Sequence, residues 1–123
     1  MKKTIALLTV AAMAAPGLAQ GPTVFALKSA NQLRAECNSE PSTARPDLIV
    51  RRMACVAYIS GVIDAVEDYR VRVQAKRVFC LPRDASAIDA VSVVQIWLNQ
   101  NSQFKRAAAD AVMQAMRENY PCD

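Results

Sequence analysis

The chain has 123 residues, 53% of them apolar and 21% charged, with a formal charge of +4. That length suits one small domain with a modest core. Of 15 basic residues, Lys2 and Lys3 fall in an N-terminal leader, leaving 13 against 11 acidic ones, a balance too mild to argue for nucleic acid. Histidine is absent, which excludes Ser/His and Cys/His catalytic pairs and removes the commonest zinc ligand.

In the leader, Lys2 and Lys3 precede an apolar run from Ile5 to Ala15, then Pro16 and a small-x-small ending at Gly17 and Ala19. This is the pattern of an export signal, too short to anchor in a bilayer. Cleavage is expected after Ala19, with Ala26 as a second candidate position. Residues 20–123 then form a single soluble domain outside the cytoplasm, because no later stretch is long and apolar enough to cross a membrane.

Ser29 followed by Gln32 is a capping-box pattern and predicts a short helix to near Cys37, with Ala30, Leu33 and Cys37 on one face. The stretch 38–46 has the Pro, Ser and Asn content of a loop, and Pro46 with Asp47 suits the start of a second helix, reaching about Tyr69. "RVRVQAKR", 70–77, reads as a frayed helix end carrying cations, with a short strand as the alternative. A second capping box, Ser86 with Asp89, opens a third helix to about Asn99, whose apolar arc holds Ala90, Val91, Val94, Trp97 and Leu98. Ser102 is placed as the cap of a fourth helix, with Phe104, Ala108, Ala111, Val112 and Ala115 as its stripe and Pro121 as its stop. The fold class is all-α, a small four-helix domain of antiparallel neighbours.

Four cysteines in a small exported domain read as two disulfides. Cys80 lies just before the third helix and Cys122 just after the fourth, so an antiparallel pair brings them together. Cys37 ends the first helix and Cys55 lies about two turns into the second. Of three pairings, Cys37–Cys55 with Cys80–Cys122 is the one expected, and it leaves no thiol for catalysis.

The second helix contains "AYISGVIDAVEDY", 57–69. Gly61 sits in a stripe of small residues with Ala54, Ala57 and Ala65. Glycine costs about 1 kcal/mol against alanine inside a helix, so another helix backbone is expected close to position 61. Asp64, Glu67 and Asp68 occupy the remaining sector. Catalytic carboxylate pairs are held across a cleft with their acidities driven apart, and nothing in the sequence supplies that cleft. The catalytic set is therefore empty, and Asp64 is expected to bond a neighbouring helix end or backbone.

The order "CVAYISGVIDA", "FCLP", "IWLNQN" and "YPC" resembles the Rap/Tai family of type VI secretion immunity proteins over nearly all of residues 20–123. The matching positions are Cys37, Cys55, Tyr58, Gly61, Asp64, Ala65, Phe79, Cys80, Pro82, Leu98, Pro121 and Cys122, all read as framework. Two positions depart: Ala57 stands where the family often has glycine, and "NQNS" where it often has Asn-Pro. The resemblance implies a protein that is not an enzyme and uses no cofactor or metal. It implies a periplasmic homodimer that binds a secreted peptidoglycan amidase and blocks its groove. The candidate contacts are Asn99, Gln100, Asn101, Ser102 and Gln103, with Ile96 on the polar flank of the third helix and the basic stretch Arg70 to Arg77. The alternative is a periplasmic helical binding module or acid-stress chaperone without a toxin partner.

Overall fold

The computed structural model describes residues 27–123; the leader and both candidate cleavage positions lie outside them. The elements are α1 (Ala30–Cys37), α2 (Pro46–Arg72), α3 (Ala87–Gln100) and α4 (Ala108–Asn119), and every pair of helices is in contact. The expected all-α, four-helix class is observed. Both capping boxes form. The Ser29 hydroxyl accepts from the Gln32 N–H while the Gln32 side chain accepts from the Ser29 N–H, and Ser86 and Asp89 repeat the exchange at α3. Each box satisfies two of the donors that a helix start leaves unpaired.

Helix α2 runs one turn past the expected end, and no strand forms at 70–77. It stops because Gln74 turns left-handed, with φ 53°. The Gln74 N–H then reaches the Val71 carbonyl at 3.3 Å and the Ala75 N–H reaches that of Arg70 at 3.0 Å. This double closure is the Schellman motif, here with glutamine where glycine is usual.

Two expectations are corrected. Ser102 does not cap α4, which begins at Ala108 with Ala107 as an uncapped N-cap. Instead the chain runs extended to meet the start of α1. The Ala108 N–H donates to the Lys28 carbonyl at 2.8 Å and the Ala30 N–H to the Arg106 carbonyl at 3.0 Å, making an antiparallel bridge between Ser29 and Ala107. Backbone pairing thus supplies what the missing cap would have given. The second correction concerns Gly61: it is exposed, and a Cβ there would meet nothing within 4 Å. The small stripe faces away from the other helices because α2 turns Cys55, Ile59, Val62, Ile63 and Val66 inward instead.

The core is built from those residues with Leu33, Phe79, Val91, Val94, Leu98 and Met116. Both expected disulfides are present, Cys37–Cys55 and Cys80–Cys122, each with Cα atoms 5.0 Å apart. The first is buried in the core and ties α1 to α2. The second closes the α3–α4 hairpin at its open end, beside the Cys80 N–H bonded to the Tyr120 carbonyl at 2.8 Å.

Candidate partner-binding surface

Between α3 and α4 the chain must reverse around Trp97 and Phe104, whose rings meet edge to face with centroids 5.2 Å apart. Trp97 is buried, and its indole N–H finds the Glu118 carboxylate at 2.6 Å. A buried indole needs such a partner, so the start of the loop is anchored to α4. The Asn101 amide and backbone N–H both donate to the Trp97 carbonyl at 2.9 Å, and the Phe104 N–H donates to the Asn101 carbonyl at 2.9 Å. From the other side, the Arg34 guanidinium of α1 donates to the Ser102 carbonyl at 3.1 Å and to the Asn31 side chain at 2.9 Å.

Asn99 through Gln103 are all exposed. Their backbone is held at both ends and in the middle, while Gln100, Ser102 and Gln103 make no side-chain hydrogen bond among the described residues. The arrangement leaves polar side chains free on a fixed backbone, which lowers the ordering cost of binding.

A ladder of amides extends the surface toward α1 and α2. Asn38 and Asn99 exchange bonds, at 2.8 Å and 3.1 Å, and Gln95 donates to the Asn38 oxygen at 3.1 Å. Arg52 donates to the Gln95 oxygen at 2.9 Å and to the Cys37 carbonyl. Asn99 is therefore partly engaged within the chain. Ile96 lies one turn before it and is 56% exposed, an apolar spot beside the amides. Arg34, Asn38, Arg52 and Gln95 were not distinguished by sequence reasoning, since three of the four lie on helices without any periodic signal. The fourth, Asn38, carries one usable sign, a side-chain amide at the C-cap of α1.

The framework positions lie elsewhere. Phe79 is buried, Tyr58 is half-buried with the Lys28 ammonium 4.9 Å from its ring centre, and Pro82 and Pro121 are exposed at chain turns beside the second disulfide. Gly61, Asp64 and Ala65 lie on the outer face of α2. Asp64 makes no hydrogen bond among the described residues, contrary to expectation, because no helix covers that face; it borders a cleft reaching the start of α3. That cleft and the Asn99–Gln103 loop are at opposite ends of α3. Arg70 and Arg72 of the basic stretch pair with Glu67 at 2.9 Å and Asp68 at 2.7 Å, while Lys76 and Arg77 are exposed.

The electrostatics are those of caps and surface pairs. The Arg45 guanidinium beside Asp47 holds that carboxyl below the usual aspartate range, and the Ser86 hydroxyl and N–H do the same for Asp89. Both shifts favour the ionised form, the wrong direction for a general acid at neutral pH.

The described residues thus form a helical body stapled by two disulfides, with a polar loop of fixed backbone at one end. The chain belongs to the Rap1a immunity proteins: the family model matches residues 29–122. Such proteins are not enzymes, and an immunity protein implies a cognate toxin as its partner. No curated protein matches the chain.

Proposed function

We propose that the chain neutralises a peptidoglycan amidase delivered by type VI secretion, acting in the periplasm as a homodimer that occludes the enzyme's groove. The observation that carries this reading is the Asn99–Gln103 loop, whose backbone is pinned by Arg34 and Trp97 while the side chains of Gln100, Ser102 and Gln103 stay free. A loop held in that way fills a concave site without losing much entropy on docking. Ile96 supplies an apolar contact beside it. The two disulfides and the leader pattern support an oxidising compartment.

The test is inhibition of purified type VI amidases by the oxidised mature chain, beginning with any encoded beside it. Stoichiometric inhibition is expected, together with a loss of roughly tenfold or more in affinity when Ser102 and Gln103 are both replaced by glutamate. Amidases that stay fully active in the presence of a folded, oxidised chain would remove the proposal. Inhibition that is indifferent to the loop variant would move the contact to another face.

A further inference from the structure

Helix α2 carries a cation on its core-facing stripe. Arg52 precedes Cys55 and Ile59 by one and two turns on that face, where the core ends beside the close of α1 and the second half of α3. It is half-buried. Its Nη1 is fully engaged, donating to the Cys37 carbonyl and to the Gln95 oxygen at 2.9 Å. Both acceptors are neutral, and together they fix the guanidinium plane. Among the described residues Nε and Nη2 have no hydrogen-bond partner, no buried side-chain nitrogen is left unsatisfied, and no carboxylate pairs with Arg52. The Nε–Nη2 edge, the fork with which arginine takes a carboxylate in two parallel bonds, therefore stays open among those residues.

The amides beside the fork are rich in donors. The Asn38 oxygen accepts from Gln95 and from Asn99, the Asn99 oxygen accepts from Asn38, and the Gln95 oxygen accepts from Arg52. Each amide nitrogen makes one of these bonds and carries two N–H groups, so each keeps a donor to spare. Acids are held elsewhere: Glu36 by Lys28, Asp47 by Arg45 and Glu118 by Trp97. Glu40, two residues beyond Asn38, forms no ion pair among the described residues. A cation with a row of unused N–H groups and no acid is complementary to a negative group.

We propose that Arg52, with the amides of Asn38, Gln95 and Asn99, receives the carboxylate of an aspartate or glutamate on the toxin. The inference rests on the proposed function and names the chemistry of one of its contacts. Asn99 belongs both to this row and to the loop, so a partner docked over Asn99–Gln103 lies next to the fork. Closing the end of α1 takes one donor to the Cys37 carbonyl, and that task leaves the Nε–Nη2 edge unused. Because two protein acceptors hold the guanidinium before the partner arrives, little side-chain entropy is lost on binding. Partial burial also limits solvent screening, which makes a pair formed here stronger than one on an open surface.

The experiment is titration calorimetry of the oxidised mature chain with the amidase it inhibits, alongside melting of each variant. Gln95→Glu puts a carboxylate where Arg52 already donates. It should hold or raise the melting temperature and yet weaken amidase binding about tenfold or more, a split that a purely structural Arg52 does not produce. Arg52→Gln should weaken binding by a similar factor and flatten its salt dependence. Arg52→Lys, which keeps the charge and loses the fork, should recover only part of that loss. Neutralising the amidase's surface aspartates and glutamates in turn should reveal one whose loss costs little more once Arg52→Gln is present. Binding indifferent to Gln95→Glu and Arg52→Gln, or additive with every carboxylate, would overturn this contact and leave the proposed function standing. A wild-type chain that inhibits no amidase would overturn both.

Discussion

Replacing the two disulfides one at a time, each by a pair of alanines, separates the contribution of loop closure from that of burial. The bridges close loops of 18 and 42 residues, and in the chain-entropy account these are worth about 3 and about 4 kcal/mol. Loop length alone therefore ranks Cys80–Cys122 as the more stabilising. Burial reverses the order. Cys37 and Cys55 are 1% and 0% exposed, inside the core with Leu33 and Ile59, whereas Cys122 is exposed and Cys80 half-buried. Truncating each buried sulfur adds about 1 kcal/mol of lost packing. Cys37→Ala/Cys55→Ala should then cost about 5 kcal/mol and Cys80→Ala/Cys122→Ala about 4 kcal/mol. Urea unfolding followed by far-UV circular dichroism, on the wild type and both variants, measures the difference. Because a domain of this size has about 5–15 kcal/mol in total, the first variant should unfold at very low urea and melt about 4–8 °C below the second. If the Cys80→Ala/Cys122→Ala chain proves the weaker of the two, closure entropy outweighs packing here and the reasoning fails.

Gln74 adopts φ 53° at the end of α2, so Gln74→Gly should stabilise the chain by about 1 kcal/mol, read as a higher melting temperature; an unchanged or lower one would mean that the side chain earns its strained position. Gly61→Ala should also stabilise, by about 1 kcal/mol, when melting is measured at a concentration where the chain is monomeric, since the new methyl group meets open space. Ser86→Ala should cost about 1 kcal/mol at neutral pH through loss of the N-cap. The Asp89 carboxyl is held below its ordinary range by Ser86, so its stabilising effect is present above the unfolded value and is lost as pH falls through the folded one. The penalty of the Ser86 variant should accordingly shrink in acid, and a penalty that is constant from neutral pH to below about pH 3 would exclude the coupling.

Where local chemistry decides the outcome, the sequence was readable. Ser29 with Gln32 and Ser86 with Asp89 name their partners three residues away, and both helix starts form as those pairs require. The disulfide pairing followed from helix ends that an antiparallel hairpin must juxtapose. Ser102 misled because a serine before an apolar stripe is a local sign, whereas the start of α4 is fixed by backbone pairing with residues 28–30, which no local pattern announces. Gly61 misled for a related reason: a small stripe is a local pattern, whereas the face of α2 that the other helices cover is decided by how the four helices pack. Five loop residues could be nominated from their polarity and position. Their fixation by Arg34 and the amide ladder from Arg52 to Asn99 depends on how three helices meet, which is tertiary information.

The short backbone pairing of Ser29 with Ala107 joins positions 78 residues apart in a fold built mostly from helical turns. Closing a segment of that length costs roughly 4 kcal/mol of chain entropy before any contact rewards it, so this junction is expected to form late, after the helices are in place. The bond from Arg34 to the Ser102 carbonyl spans the same divide. The loop acquires its shape only when the beginning and the end of the domain have met. A copy caught part-way through folding displays the same amides on an unshaped chain, so under the function proposed above the loop would double as proof of completion, since only a finished molecule would present it to the toxin.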